Sequence, residues 1–198
     1  MNVGIVGCGL IGAKRARAAH GHPIVSVFDP DAPKAEALAA ETGARAARSI
    51  EELLASPGLD AVVVATPHDR LAKIALAALR RGKHVLLEKP GARTLSELRP
   101  LAAAAKRNKR IVKVGFNHRF HPAFLKAREI VDARGLGPLL YIRARYGHGG
   151  RRGYEREWRA NKKISGGGEL IDQGIHLIDL SRWFLGEFRR IDGRLATC

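Results

Sequence analysis

Short apolar runs recur along the first 115 positions, and each is followed by a stretch whose apolar residues fall at helical spacing. Asn2–Val6, Ile24–Phe28, Ala61–Ala65, His84–Leu87 and Ile111–Gly115 read as strands, with a shorter one near 44–47. Ala61-Val-Val-Val-Ala65 has no polar alternation, as a strand buried on both faces of a parallel sheet requires. Helices are predicted over 13–20, 33–42, 49–55, 70–81 and 94–108. Ser49 with Glu52, and Thr94, serve as N-caps, and Gly43 and Gly82 as stops. Strands alternating with helices in this way make an α/β fold built on a Rossmann-type, doubly wound parallel sheet.

After Gly115 the rhythm changes. Residues 122–133 have one more helical pattern, and Gly135-Leu-Gly-Pro138 breaks it. Residues 139–146 alternate as a strand of a different kind, 147–168 form a Gly- and Arg-rich loop, 169–184 are helical, and 188–197 begin another strand. The expected organisation is a dinucleotide-binding domain over 1–119 and the beginning of an α+β open-sheet domain over 120–198.

Three stretches carry chemistry. Gly7-Cys8-Gly9-Leu10-Ile11-Gly12 follows the first strand and opens the first helix. Gly7 permits the tight turn, Gly9 lets the backbone approach a pyrophosphate, and Gly12 allows close helix–strand packing. The phosphates then meet Leu10, Ile11 and their neighbours at the amino end of a helix, where free N–H groups and the dipole favour anions. Asp29 ends the second strand 22 residues after Gly7. It is either an acceptor for the ribose hydroxyls or a simple strand-end cap. The first role favours NAD over NADP, because a carboxylate repels a 2′-phosphate.

In such sheets ligands collect at the carboxyl ends of the strands. Thr66 and Pro67 close the fourth strand there and are expected either to line the cofactor or to cap the next helix. His68 reads as a surface turn histidine. Glu88-Lys89-Pro90 closes the fifth strand at the same edge, where Lys89 can donate to a substrate hydroxyl or stabilise a developing alkoxide. Asp172, His176 and Asp179 lie at i, i+4 and i+7 on one helix face, among Leu170, Ile171, Ile175 and Leu177. His176 suits a general base with Asp172 orienting it, although such a pair is also a common structural one. No third metal ligand is evident, so no metal is expected.

Composition narrows the classes. The chain has 198 residues, 45% hydrophobic and 27% charged, which argues against disorder. No apolar run approaches the roughly 20 residues of a membrane span. Met1–Val6 runs straight into the glycine turn without a basic leader, and Cys8 and Cys198 make no disulfide framework. A cytoplasmic protein without a membrane partner is expected. The net charge is +16, of which residues 101–198 carry +12. That excess suits a solvated basic surface or an anionic substrate. Nucleic acid is not expected, because no nucleic-acid module is present and aromatics are only 6%.

The glycine turn, Ala65-Thr66-Pro67, the run Gly82-Lys83-His84-Val85-Leu86 into Glu88-Lys89-Pro90, and Gly-Gly-x-x-x-x-Asp172-x-Gly-x-His176 occur in this order. With them the chain resembles the glucose–fructose oxidoreductase/inositol dehydrogenase/rhizopine-catabolism (Gfo/Idh/MocA) family over nearly its whole length. The resemblance implies NAD(P), oxidation of a hydroxyl of a sugar, cyclitol or nucleotide sugar, and Lys89, Asp172 and His176 as the catalytic group. The expected cofactor-binding set is Gly7, Gly9, Leu10, Ile11, Gly12, Asp29, Thr66, Pro67, Glu88 and Lys89. Leu71 stands where family members often keep a histidine. The family continues through a large open sheet that usually mediates homo-oligomerisation, so the chain reads as truncated. A non-catalytic NAD-binding protein and an NAD-assisted glycoside hydrolase are the alternatives.

Overall fold

The computed structural model describes residues 1–147 and 152–194. Six parallel strands, β1 (Asn2–Val6), β2 (Ile24–Phe28), β3 (Arg45–Ala46), β4 (Leu59–Val64), β5 (His84–Leu87) and β6 (Val112–Val114), form one sheet. Their spatial order is β3-β2-β1-β4-β5-β6. The direction of winding reverses between β1 and β4, which is the switch point where an open α/β sheet leaves a crevice at its carboxyl edge. Helices α1 (Leu10–Arg17), α2 (Ala32–Thr42), α3 (Ile50–Leu54), α4 (His68–Arg80) and α5 (Leu95–Arg107) make the crossovers.

The period of two along each strand divides the core between the two faces of the sheet. Val3, Ile5, Ile24 and Val27 pack with Leu38 and Ala39 of α2 on one face. Val6, Val62, Val64 and Leu87 pack with Leu71, Ala75 and Leu79 of α4 and with Leu101 of α5 on the other. The capping signals act as read: Ser49 Oγ accepts from the Glu52 amide and Thr94 Oγ1 from the Glu97 amide. Helix boundaries depart from expectation at the functional turns. Helix α1 begins at Leu10, directly after the second glycine, and α4 begins at His68, directly after Pro67.

The chain folds as two compact units, residues 1–115 with 150–172, and residues 116–149 with 173–198. Within the first unit, the expected loop at 147–168 contains a 3-10 turn at Tyr154–Arg156 and the short helix α7 (Lys162–Ser165). Within the second lie a 3-10 turn at Asn117–Phe120, α6 (Pro122–Asp132) and α8 (Ile175–Leu185).

Two expected strands are absent among the described residues. Residues 139–147 and 186–194 form no ladder, and Leu140, Tyr141 and Ile191 are largely exposed. Their alternating pattern suits a strand, but a strand exists only where another pairs with it, and no partner occurs among the described residues. Thr197, the expected end of the last strand, lies outside the described residues, as do 148–151 of the loop. The helix expected over 169–184 also differs: Leu170–Gly174 is a π-helical turn, and the α-helix that follows it runs from Ile175 to Leu185. No helix among the described residues is long and apolar enough to cross a membrane.

Candidate active site and cofactor cradle

The glycine turn is built as its spacing requires. Gly7 has φ +96°, and a Cβ there would lie 2.5 Å from the Ala65 carbonyl oxygen. A Cβ on Gly12 would lie 1.9 Å from the Gly7 carbonyl oxygen, so α1 can pack this closely on β1 only without a side chain. Gly9 is different, because a Cβ there would meet nothing within 4 Å. It is the N-cap of α1 and supplies no side-chain cap, and no acidic residue stands in the first turn. The amides of Leu10, Ile11 and Gly12 therefore present the positive end of the helix dipole to open space. A pyrophosphate fits this cradle on both charge and clearance.

Asp29 secures the turn from the neighbouring strand. Its Oδ2 accepts from the Cys8 amide at 2.8 Å and its Oδ1 from the Asp31 amide at 2.9 Å. Beside it a cavity of about 360 Å³ opens between Phe28, Pro30, Ala35, Ala47 and Arg48. Burial, with the Asp29 charge adding to it, pushes the Cys8 thiol up to about 12, so this cysteine stays a thiol within the turn. Thr66 and Pro67 follow β4 at the switch point, and Pro67 is the N-cap of α4.

Glu88 and Lys89 continue β5 at the carboxyl edge and part there. Glu88 Oε1 is held by Arg15 of α1, with Nη2 at 2.5 Å and Nε at 2.6 Å. Lys89 donates from Nζ to Asp172 twice, to Oδ1 and to the main-chain carbonyl, each at 2.6 Å. The carbonyl that takes the second bond lies in the π-helical turn. Asp172 is 2% exposed, and Arg159 Nε approaches its other oxygen at 3.3 Å. Burial raises the Asp172 carboxyl. The Lys89 hydrogen bond and charge, with Arg159 and His68, outweigh it and hold the carboxyl below its ordinary range.

His68 is not a surface residue. It is 2% exposed; its Nδ1 lies 2.8 Å from the Ser165 carbonyl and its Nε2 3.8 Å from Asp172 Oδ1. The Trp158 ring meets it edge-on with centroids 4.7 Å apart. Arg93 Nη1 similarly takes the Lys163 carbonyl at 2.5 Å. The carbonyls that α7 leaves unbonded are thus bound by side chains from elsewhere in its own unit. Gly166 ends α7 at φ +89°, where a Cβ would press on Arg93 Cβ at 2.9 Å.

In the second unit His176 is buried, and its ring stacks on His118 with centroids 3.9 Å apart and planes 17° from parallel. Phe116 meets His176 edge-on. Asp179, on the same predicted face, takes a two-pronged bond from Arg119 at 2.6 and 2.7 Å. Of the residues singled out by sequence, the structure joins Lys89 to Asp172. It also adds His68, which sequence reasoning took for a surface turn residue, and Arg159 and Arg15, which it did not single out. His68 stands at a strand's carboxyl end just as Lys89 does, and that position was the available signal.

Fold, switch point and glycine cradle together define a Rossmann-type dinucleotide-binding protein. Residues 1–116 match the family model described as "Oxidoreductase family, NAD-binding Rossmann fold", and residues 124–198 match the "GFO/IDH/MocA C-terminal domain". The chain belongs to the Gfo/Idh/MocA oxidoreductase family. It is 35% identical to inositol 2-dehydrogenase 2 of Saccharopolyspora erythraea, over 94% of this chain and 54% of that enzyme. It is 31% identical to levoglucosan dehydrogenase of Pseudarthrobacter phenanthrenivorans, over 100% and 54%. The solved structure of GenD2 from gentamicin A biosynthesis in complex with NAD superposes with a TM-score of 0.81 at 30% identity, over 94% of this chain and 54% of that one. The chain spans about half the length of the curated relatives it matches.

Proposed function

We propose that this chain belongs to an NAD-dependent dehydrogenase that oxidises one secondary hydroxyl of a cyclitol or sugar. The observation that carries the reading is the Lys89 ammonium, pinned by side chain and main chain of a buried Asp172 at the carboxyl edge of β5. An ammonium has three donors. Two are spent on Asp172, and the third is available to a substrate oxygen at the edge where the glycine cradle receives the cofactor.

In this reading residues 1–119 bind NAD, and residues 120–198 begin the domain for substrate and self-association. Gly7, Gly9, Leu10, Ile11 and Gly12 hold the pyrophosphate. Asp29 accepts from the adenosine ribose and selects NAD over NADP, while Thr66, Pro67 and Glu88 shape the nicotinamide end. NAD, when bound, supplies the hydride acceptor. Lys89 donates to the reacting hydroxyl and stabilises the negative charge that develops on its oxygen. Asp172 holds Lys89 in place through its side chain and its main-chain carbonyl. His176 takes the hydroxyl proton as general base. The substrate class rests on the relatives, whose names are inositol and levoglucosan dehydrogenases.

The test is calorimetry with NAD and NADP, together with NADH formation from inositols and anhydrosugars, on the chain and on Lys89→Ala and Asp29→Ala. NAD is expected to bind more tightly than NADP. Lys89→Ala should lower turnover with NAD affinity nearly unchanged, and Asp29→Ala should lower NAD affinity. NAD affinity falling as steeply as turnover in Lys89→Ala would remove the assignment of Lys89.

A further inference from the structure

His68 is a buried imidazole with an oxygen facing each of its ring nitrogens. The Ser165 carbonyl lies 2.8 Å from Nδ1 and Asp172 Oδ1 lies 3.8 Å from Nε2. A carbonyl can only accept, so the short contact requires the proton on Nδ1. The longer contact is beyond hydrogen-bond range. Nε2 then carries a lone pair, and Asp172 Oδ1 takes its hydrogen bond from Lys89 at 2.6 Å.

From this geometry we infer that His68 is a positioning residue for the Lys89–Asp172 pair. The Ser165 carbonyl locks its tautomer and turns the unprotonated Nε2 toward Asp172 Oδ1, which takes a hydrogen bond from Lys89. With the proton on Nε2, the short contact to the Ser165 carbonyl would lose its hydrogen bond, and α7 its tie to α4. The same bond fastens the end of α7, seven residues before Asp172, to the start of α4, so it also sets where Asp172 is delivered. The edge of Trp158 fixes the ring plane.

The charged groups acting on the ring are Asp172, which favours a second proton, and Lys89 and Arg159, which oppose it. Burial acts with the two cations, and the imidazole is held below its ordinary range, uncharged at neutral pH. The inference rests on the reading of Lys89 and Asp172 as the reacting pair, but its test does not require turnover.

The experiment is nitrogen NMR of the chain labelled in histidine, combined with acetic anhydride labelling of Lys89 followed by mass spectrometry. The expected His68 signals at pH 7.5 are a protonated Nδ1 and an unprotonated Nε2; a proton on Nε2 overturns the inference. An ammonium held by a carboxylate acetylates slowly. His68→Leu, which loses the bond to Ser165, should therefore acetylate at Lys89 several-fold faster than wild type. His68→Asn keeps an N–H in the place of Nδ1 and should restore the slow rate. Equal rates in all three proteins would overturn the inference, and so would failure of the asparagine to restore the slow rate. If His68→Leu does not fold, the tautomer and His68→Asn still decide. Turnover that persists in Lys89→Ala would instead strike at the proposed function, and leaves the tautomer result standing.

Discussion

Arg15 of α1 and Glu88 at the end of β5 are ion-paired at 2.5 Å, although 73 residues separate them in sequence. The pair ties α1, which opens at the glycine turn, to the turn that carries Lys89. Gly115, at the end of β6, leaves room for it, since a Cβ there would lie 3.0 Å from Arg15 Nη2. Arg15→Ala leaves the Glu88 carboxylate mostly buried without its partner and should cost about 1–3 kcal/mol in urea unfolding. Replacing both, as Arg15→Met with Glu88→Gln, should recover much of that loss.

The two glycines of the cradle should respond oppositely to alanine. Gly12→Ala drives a methyl into the Gly7 carbonyl and should abolish the native turn, visible as a large drop in melting temperature. Gly9→Ala meets no protein atom and should melt as wild type does. Its methyl enters the space through which a phosphate reaches the helix amides. NAD affinity by calorimetry should therefore fall about tenfold or more, the equivalent of roughly 1.4 kcal/mol.

Asp172 gives an acid limb to stability. Its folded carboxyl titrates below the ordinary value of 3.8, because the Lys89 bond outweighs burial. The unfolded chain therefore binds the proton first as pH falls. The stabilisation is complete above the ordinary value and is lost as pH drops through the folded one. Urea unfolding of wild type from pH 6 to 3 should show this loss. Asp172→Asn should lack that component and should start from a lower stability at pH 6, with Lys89 and Arg159 facing an uncharged amide.

His68 acts at milder acidity with the same sign. Burial foremost holds the folded imidazole below its ordinary 6.5, so protonation favours the unfolded chain. Wild type should lose stability as pH falls from 7 to 5, and His68→Asn should lose less over that window. A steeper loss in the variant would contradict a buried neutral ring.

The Rossmann half was legible because its signals are local. Apolar runs, glycine spacing and caps such as Ser49 specify elements without reference to distant residues, and Lys89 could be placed once its strand was found. What escaped the sequence was contact at long separation. Nothing near His68 announces Ser165, 97 residues on, or Trp158, and nothing near Arg15 announces Glu88. The π-turn escaped for a different reason: Leu170–Gly174 has the apolar spacing of any buried helix, and its departure shows only in the bond that Asp172 makes to Lys89. The strands expected beyond 138 had the right alternation, but a ladder depends on a second strand that no local pattern supplies.

The first unit is not one stretch of chain: it runs to residue 115, leaves, and returns for 150–172. Exchange of its coding sequence between relatives is therefore constrained. A crossover near residue 116 would transfer Lys89, His68 and Arg93 while leaving behind Asp172, Ser165 and Lys163. The hybrid would inherit a lysine, a histidine and an arginine matched to oxygens from another lineage. Recombination that respects this site has to carry both pieces together, and the Asp172 neighbourhood should travel through evolution with the amino-terminal half rather than with the residues that flank it.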